Sequence, residues 1–289
     1  MLSRREFIKY SFASGVGLYL GLNSIKAEAK TYNLENQVDK YIKKMRKKGK
    51  VSSNENTAWS VYDFTTNTKL VSINEDKPLQ AASLIKPFVA LAFFHNVEFG
   101  NFYYGSKSKK NMLCMIRDSK NECTNWLIKQ MGGPRKVNNL LKKHYSGIYN
   151  DGKIVEDIPK GGKTYKNTAS AHDYSRFLFA LWKGSIPGSK EIKRLMALEN
   201  LDRCCDKVPS MPRNIEVYDK TGSTSMLCGE MAIIVPYRGR KKYPYTLVGV
   251  IEKDKRAKNY SNWISDRSDI IRGVSGLVYN DMKKRYKFG

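Results

Sequence analysis

Histidine is scarce in this chain of 289 residues, and no zinc-binding pattern is present. His95, His144 and His172 are widely separated, and no two cysteines have the Cys-x-x-Cys spacing of a structural zinc site. The Gly-x-Ser-x-Gly motif found in hydrolases with a Ser-His-Asp triad is also missing. We therefore expect no metal, no other cofactor and no histidine-based triad.

Long apolar runs are missing as well. The apolar stretch at about residues 10–22 is shorter than the roughly 20 residues that span a bilayer. It lies between a basic start and the sequence AEA at 27–29, which is typical of a signal-peptide cleavage site. The sequence SRREFIK at 3–9 is similar to the twin-arginine export signal. We predict that residues 1–29 are a cleaved twin-arginine signal and that the mature protein is periplasmic or secreted, without a membrane span; an uncleaved anchor is the alternative.

Acidic residues are few, since 27 Asp and Glu stand against 52 Lys and Arg, for a formal net charge of +25. Such an excess of cations would ordinarily favour nucleic acid as a partner. Export from the cytoplasm argues against that partner. Anionic polymers of the cell envelope, or simple solvation of lysine-rich helix faces, remain as explanations of the charge. We expect a monomer that does not bind nucleic acid.

Cysteine occurs five times, an odd number, so at least one thiol is unpaired within a monomer. The pairing cannot be read from the sequence, although adjacent cysteines rarely bridge each other. The five are Cys114, Cys123, Cys204, Cys205 and Cys228.

The periodicity of apolar residues predicts an α/β (α+β) fold in which the two ends of the chain share one antiparallel sheet. Strands are expected at 57–64, 69–74, 215–223, 229–237 and 243–252, where the loop RGRKK at 238–242 is typical of a hairpin. A polar helix is expected at about 33–48 and a long helix at the C-terminus. The predicted helices between the two groups of strands start near Ser83, Arg135, Thr168 and Ser189, with a further pair on either side of the sequence DSKN at 118–121.

The organisation follows from this order. We predict a single domain at 30–289, with a helical lobe at about 84–200 and a sheet lobe built from both ends of the chain. A cleft between two such lobes is where a site is expected.

The stretch AASLIKPF at 81–88 contains the pair of residues with the clearest chemical potential. Ser83 and Lys86 are three positions apart, so on a helix both side chains emerge on one face and the amine can reach the hydroxyl. A lysine beside an apolar helix loses solvation, which favours its neutral form and makes it a better base. Taken alone, the pair is better explained as a helix cap with an incidental lysine.

Two further motifs favour the chemical interpretation. Ser119-Lys120-Asn121 interrupts the helical block, and Lys220-Thr221-Gly222-Ser223 ends a predicted strand. With Ser83-x-x-Lys86 they resemble, in the same order, the signatures of the penicillin-recognising serine hydrolases, the superfamily of class A β-lactamases and D-alanyl-D-alanine peptidases. The resemblance extends from about residue 57 to about residue 283 and implies the β-lactamase/transpeptidase-like fold.

The resemblance also implies roles for these residues. Ser83 would attack a carbonyl, Lys86 would accept its proton directly or through a water, and Ser119 would relay a proton to the leaving nitrogen. Asn121 would bind the amide of the substrate side chain, while Lys220, Thr221 and Ser223 hold its carboxylate. Gly222 would let the sheet edge approach the ligand closely. Backbone N–H groups of Ser83 and Ser223 would form the oxyanion hole.

The sequence departs from class A β-lactamases in the omega loop. Those enzymes carry a Glu-x-x-Leu-Asn motif whose glutamate activates the deacylating water, whereas this chain has VEDIPKGGKTYKNTAS at 155–170. Glu156 or Asp157 would have to serve as a substitute base, and an exposed acidic pair without a role is the alternative. Lys120 and Pro87 are also more typical of the peptidases.

We therefore expect an active-site-serine hydrolase that forms an acyl-enzyme with peptidoglycan stem peptides ending in D-Ala-D-Ala and with β-lactams. A class A-type β-lactamase with an unusual omega loop is the first alternative. A non-catalytic envelope-binding protein that keeps the fold is the second.

Overall fold

The computed structural model describes residues 21–159 and 166–288, with side chains from Leu34 onward. The first helix, α1 (Gly21–Lys47), includes the predicted polar helix. Most of the predicted export signal lies outside the described residues, so the signal stays a prediction. No helix among the described residues is both long enough and apolar enough to cross a membrane.

A five-stranded antiparallel sheet forms the centre of the molecule, in the order β2-β1-β9-β6-β5. Its strands are β1 (Glu55–Asp63), β2 (Thr68–Ile73), β5 (Glu216–Ser223), β6 (Leu227–Val235) and β9 (Tyr245–Lys253). The chain ends therefore build one sheet, as predicted. The hairpin between β6 and β9 carries a two-stranded extension, β7 (Tyr237–Arg238) with β8 (Lys241–Lys242).

Strand β6 is buried along its whole length because the sheet is covered on both faces. Met231 and Ile233 pack toward helices from the middle of the chain, whereas Ala232 and Ile234 pack toward the terminal helices α1 and α8 (Tyr260–Tyr286). Alternate residues thus contribute to two cores, as the two-residue repeat of a strand requires. This explains why the strand reads as a continuous apolar run.

The middle of the chain is helical and covers one face of the sheet. It comprises α2 (Lys86–Glu98), α3 (Ser106–Ile116), α4 (Asn121–Gln130), α5 (Pro134–His144), α6 (Ala171–Lys183) and α7 (Ser189–Met196). Helix α2 is the central one, since every residue from Lys86 to His95 is buried. An apolar helix surrounded on all sides by other elements is the structure that its sequence predicted.

Two helix starts differ from the predicted ones. Ser83 belongs to a short 3-10 helix (Ala82–Ile85) that precedes α2, and Pro87 occupies the first turn of α2, where its missing N–H costs no hydrogen bond. Helix α6 starts at Ala171 rather than Thr168. The reason is that Thr168–Ala169 pairs as β4 with β3 (Leu79–Gln80), while the Ser170 side chain caps the helix.

One disulfide is formed, between Cys114 on α3 and Cys123 on α4. Cys204, Cys205 and Cys228 are free thiols. The Sγ atoms of the adjacent pair Cys204 and Cys205 are 3.7 Å apart and unbridged, in line with the expectation for neighbouring cysteines. Cys228 is a buried strand residue beneath α8, where its sulfur lies 3.8 Å from Ser268 Oγ.

Candidate active site

The turn that carries Ser83 is held tightly between the sheet and the helical lobe. Ala81 donates its N–H to the Asn167 carbonyl at 2.9 Å, and Ala82 adopts a φ of 45°. A non-glycine residue with such a φ is uncommon and is characteristic of functional turns. Ser83 itself is half-buried and faces the cleft between the lobes.

Gly222 determines how closely the edge strand β5 approaches this turn. A Cβ atom at Gly222 would lie 2.7 Å from Leu84 Cγ and 3.2 Å from Leu84 N. Gly229, its partner on β6, faces the same side chain at 2.7 Å. The prediction placed a ligand against Gly222, but the structure places the residue that follows Ser83 there. The glycine therefore lets the turn that carries Ser83 lie directly against the sheet.

The amine of Lys86 is fully buried and is held by the turn between α3 and α4. Its Nζ donates to Ser119 O at 2.5 Å, to Ser119 Oγ at 3.2 Å and to Asn121 Oδ1 at 3.0 Å. The structure thus brings together the first two sequence motifs through this lysine. Ser119 has a φ of 55°, a second non-glycine residue in the left-handed region.

The surroundings of Lys86 favour its neutral form. Burial, reinforced by the nearby charge of Lys220, lowers the pKa of Lys86 to about 6, and Glu122 opposes the shift. A lysine with this pKa is uncharged at neutral pH and has a lone pair available to accept a proton. The geometry and the pKa therefore both suit a general base.

The predicted hydrogen bond between Ser83 and Lys86 is not among those formed by the described residues. All the side-chain hydrogen bonds of Lys86 go to Ser119 and Asn121. Hydrogen bonds of this kind are often long in unliganded enzymes and tighten when substrate binds. In this arrangement, a proton can move from Ser83 to the Lys86 amine in three ways. It moves directly after a side-chain rotation, through Ser119 Oγ, or through a water.

Lys220 lies opposite Lys86 on β5 and is also buried. Burial lowers the pKa of Lys220 to about 8, but the carboxyl groups of Asp219 and Glu230 act to raise it. Burial likewise raises the pKa of Asp219 to about 7. Lys220 consequently keeps more of its charge than Lys86 does.

Residues alternate across β5, which separates the members of the third motif. Lys220 and Gly222 face the turn of Ser83, whereas Thr221 and Ser223 project from the other face of the strand. Ser223 Oγ accepts a hydrogen bond from Arg203 Nη2 at 2.5 Å. Arg203 is itself fixed by Glu230, Gly229 O and Ser268.

The cleft beside Ser83 has a volume of about 410 Å³. Its wall includes Ser83, Asn121, Glu156, Ile158, Asn167 and Ser223. Lys86 and Lys220 lie beneath this surface rather than on it, and Thr221 is not part of the described wall. The structure therefore places four of the predicted site residues, Ser83, Asn121, Glu156 and Ser223, on the wall of one cavity.

The two candidate deacylation bases lie on different surfaces. Glu156 lines the cleft, and one of its carboxylate oxygens accepts the N–H of Lys166 at 2.8 Å. Asp157 lines a separate surface groove beside Trp126. The next residue, Ile158, is buried and is part of the wall of the cleft. Asp157 is therefore poorly placed for the predicted role, whereas Glu156 shares the cleft with Ser83.

Two asparagines fix this stretch of chain. Asn125 accepts the N–H of Ile158 at 2.8 Å and donates to its carbonyl at 3.0 Å. Asn167 accepts the N–H groups of Val155 and Glu156 and donates to Glu156 O. Side-chain amides that replace backbone partners hold a loop firmly without regular secondary structure.

The sequence reasoning did not single out Asn125, Asn167 or Arg203. Asn125 had a detectable signal, because it lies four residues after Asn121 and hence on the same face of α4. Arg203 had none, since the irregular segment between α7 and β5 has no periodicity to indicate what its side chains reach.

Comparisons with known proteins agree with this geometry. The model of the family described as Beta-lactamase2, the beta-lactamase enzyme family, matches residues 34–110 and 110–280. No curated protein matches the sequence.

Solved structures show the same fold at low sequence identity. PBP-A superposes with a TM-score of 0.71 and 18% identity, over 87% of this chain and 96% of that protein. A β-lactamase from Xanthomonas campestris gives a TM-score of 0.69 at 14% identity, over 86% of this chain and 98% of that one. A β-lactamase from Streptosporangium roseum gives 0.68 at 13% identity, over 88% and 99%. The predicted β-lactamase/transpeptidase-like fold is confirmed.

The family match extends over most of the chain, and the site contains a buried lysine of low pKa next to a serine-lined cleft. The chain therefore belongs to the beta-lactamase enzyme family and is a serine hydrolase.

Proposed function

We propose that this protein is a DD-peptidase-like enzyme that is acylated at Ser83 by peptidoglycan stem peptides ending in D-Ala-D-Ala. β-Lactams would acylate the same serine, and the resulting acyl-enzyme would be hydrolysed slowly. The proposal includes action in the periplasm or outside the cell after twin-arginine export, as a monomer. The observation that carries it is that Ile158, which has no carboxyl group, is part of the wall of the cleft.

Acylation follows from the arrangement of the two lysines. Ser83 Oγ forms a bond to the substrate carbonyl carbon as its proton passes to neutral Lys86. The carbon–nitrogen bond then breaks, and Ser119 delivers the proton from Lys86 to the leaving nitrogen. The hydrogen bond from Lys86 Nζ to Ser119 Oγ, at 3.2 Å, provides that route. Lys220 binds the terminal carboxylate, with the hydroxyl of Ser223 on the cleft wall as a donor, whereas Thr221 is not part of the described wall.

The lifetime of the acyl-enzyme depends on a base that can activate water. A carboxylate fixed against the cleft would serve, but the residue that Asn125 fixes there is Ile158, which has no proton-accepting group. The Glu156 carboxylate accepts a backbone N–H from Lys166. PBP-A, which has the same fold, forms an acyl-enzyme with penicillin G in a variant whose leucine is replaced by glutamate, so the fold is one that penicillin acylates.

A class A-type β-lactamase is the second candidate, and one observation favours it. Glu156 lines the same cleft as Ser83, so a shift of its carboxylate away from Lys166 N would bring a base toward the acyl group. In that case the acyl-enzyme would be hydrolysed quickly and the enzyme would destroy antibiotics.

The lifetime of the penicilloyl-enzyme distinguishes these functions. The purified protein is labelled with a fluorescent penicillin, unbound label is removed, and the bound fraction is followed with time, with Ser83→Ala as the unlabelled control. We expect a label that persists for minutes or longer. Hydrolysis at many turnovers per second that is lost in Glu156→Gln would establish the β-lactamase instead, and no label on the unaltered protein would contradict both functions.

Replacing the aliphatic residue sharpens the test. Ile158→Glu adds a carboxylate to the cleft wall and is expected to shorten the lifetime of the penicilloyl-enzyme by about tenfold or more, which is within the usual contribution of a general base. Ile158→Gln is the matched control, because glutamine has the same shape as glutamate but no carboxylate to act as a base. Equal lifetimes in the two variants would show that the missing carboxylate does not limit deacylation.

A further inference from the structure

The turn between α3 and α4, residues 117–120, determines where the amine of Lys86 lies. Ser119 supplies two of the three acceptors of Lys86 Nζ, and Asn121 at the start of α4 supplies the third. Since Lys86 is fully buried, these acceptors replace the water that it has lost. A displacement of this turn therefore moves the hydrogen-bonding partners of the base.

The turn has little structure of its own to keep it in place. Arg117 and Asp118 are exposed and pair with each other rather than with the body of the protein. Ser119 has a φ of 55°, a conformation that non-glycine residues maintain only when their surroundings impose it. The backbone bond across the base of the turn, from Lys120 N to Cys114 O, is 3.2 Å long.

A disulfide closes the base of this turn. Cys114 lies in the last turn of α3 and Cys123 in the first turn of α4, nine positions apart, with Cα atoms separated by 6.0 Å. The closed segment contains both Ser119 and Asn121. Both cysteines are half-buried, so a small reductant has access to the bond.

We propose that the Cys114–Cys123 disulfide is a positioning element of the active site, which holds the acceptors of Lys86 and makes the rate of Ser83 acylation depend on the oxidation state of the pair. This inference rests on the proposed acylation of Ser83.

Opening the disulfide loosens the turn without removing the core beneath it. The helices stay packed through Met112, Met115 and Leu127, which are fully buried. Water then reaches the amine of Lys86. The charged groups that act on this amine are Lys220 from β5, which lowers its pKa, and Glu122 from α4, which raises it; the largest effect is burial. Loss of burial therefore raises the pKa of Lys86 toward its ordinary value and reduces the neutral fraction at pH 7.

The test compares the oxidised full-length protein with the Cys114→Ala/Cys123→Ala double variant. The second-order rate constant for labelling by a fluorescent penicillin is measured from pH 5.5 to 10. In the double variant we expect a rate about tenfold lower at pH 7, the order of loss that small displacements of reacting groups cause. We also expect the acid limb to move up by about two pH units, the shift that a tenfold lower neutral fraction of Lys86 at pH 7 requires, so that the difference from the oxidised protein shrinks at alkaline pH.

Reduction of the unaltered protein opens the Cys114–Cys123 disulfide without a substitution. Dithiothreitol transfers two electrons and two protons to the disulfide, which yields the thiols of Cys114 and Cys123 and the cyclic disulfide of the reagent. The protein is desalted and assayed at once, and Cys205→Ala treated in parallel must respond like the unaltered protein. Circular dichroism and the labelled fraction at saturation report whether each form is folded.

Three outcomes would overturn the inference. The first is an identical pH profile in the oxidised protein and the double variant. The second is a rate that falls equally at every pH together with a smaller labelled fraction, since that pattern means a merely structural bond. The third, no labelling of the oxidised protein, removes the proposed function and with it the basis of this inference.

Discussion

The two lysines of the site are buried to the same extent in very different surroundings. Lys86 lies on the helical side, where its partners are a carbonyl, a hydroxyl and an amide oxygen, all uncharged. Lys220 lies on the sheet side, where Asp219 and Glu230 are buried beside it. The pKa is lowered to about 6 for Lys86 and to about 8 for Lys220.

The difference separates two functions that one residue type performs in a single cleft. At pH 7, pKa values of about 6 and about 8 leave about nine-tenths of Lys86 neutral and about nine-tenths of Lys220 charged. A neutral amine can accept the proton of Ser83, and a charged one can hold a carboxylate. The charge of Lys220 also helps to lower the pKa of Lys86, so the lysine on the sheet side tunes the one on the helical side.

Removing the base gives the largest expected effect. Lys86→Met keeps the length and the apolar packing of the side chain but deletes the amine, so acylation of Ser83 by a fluorescent penicillin should slow by about 100- to 10,000-fold. Lys120→Met is the control, because Lys120 is an exposed lysine on the neighbouring turn. Equal rates in the two variants would mean that Lys86 is not the base.

Removing the charge on the sheet side gives a smaller effect of a different kind. Lys220→Gln should lower the second-order rate constant of acylation by about 30-fold, mainly because the penicillin carboxylate binds less well. The same penicillin as its methyl ester lacks that carboxylate, so the unaltered protein and the variant should react with the ester at similar rates. A loss that is equally large for the ester would assign another role to Lys220. Lys241→Gln, on the exposed hairpin, serves as the control.

A change at the contact between β5 and the turn of Ser83 should have the smallest of the three effects on the rate of acylation. Gly222→Ala places a Cβ atom 2.7 Å from Leu84 Cγ, which must shift the turn that carries Ser83. We expect acylation to slow by about tenfold and the melting temperature to fall. Gly147→Ala is the matched control, because a Cβ atom there meets nothing within 4 Å. A Gly222→Ala protein with unaltered acylation would show that the turn tolerates displacement.

The sequence was sufficient for the parts of the site that follow from local spacing. Ser83 and Lys86 are adjacent on one helical face, Ser119 and Asn121 flank a helix start, and Ser223 ends an edge strand, so motif and element type could be read together. The sheet was predictable for the same reason, because its strands alternate or form continuous apolar runs. Element ends were less certain where tertiary pairing intervenes, as at Thr168.

The remaining features depend on contacts between distant segments. The hydrogen bond of Arg203 to Ser223 and the position of Ile158 in the cleft are set by irregular loops, which carry no periodic signal. The Cys114–Cys123 bond depends on how the two helices α3 and α4 pack. The partners of Lys86 were not foreseen either. The helical spacing brings it near Ser83, but the turn after α3 provides better acceptors.

The pH dependence of Ser83 acylation tests the contrast between the two lysines most directly. We predict a rate constant that rises through about pH 6, as Lys86 loses its proton, and falls beyond about pH 8, as Lys220 loses its proton. In Lys220→Gln the upper limb should disappear and the lower limb should move to higher pH, since the cation that lowers the pKa of Lys86 is gone. A single limb near the ordinary lysine value of 10.5, unchanged in the variant, would contradict this prediction.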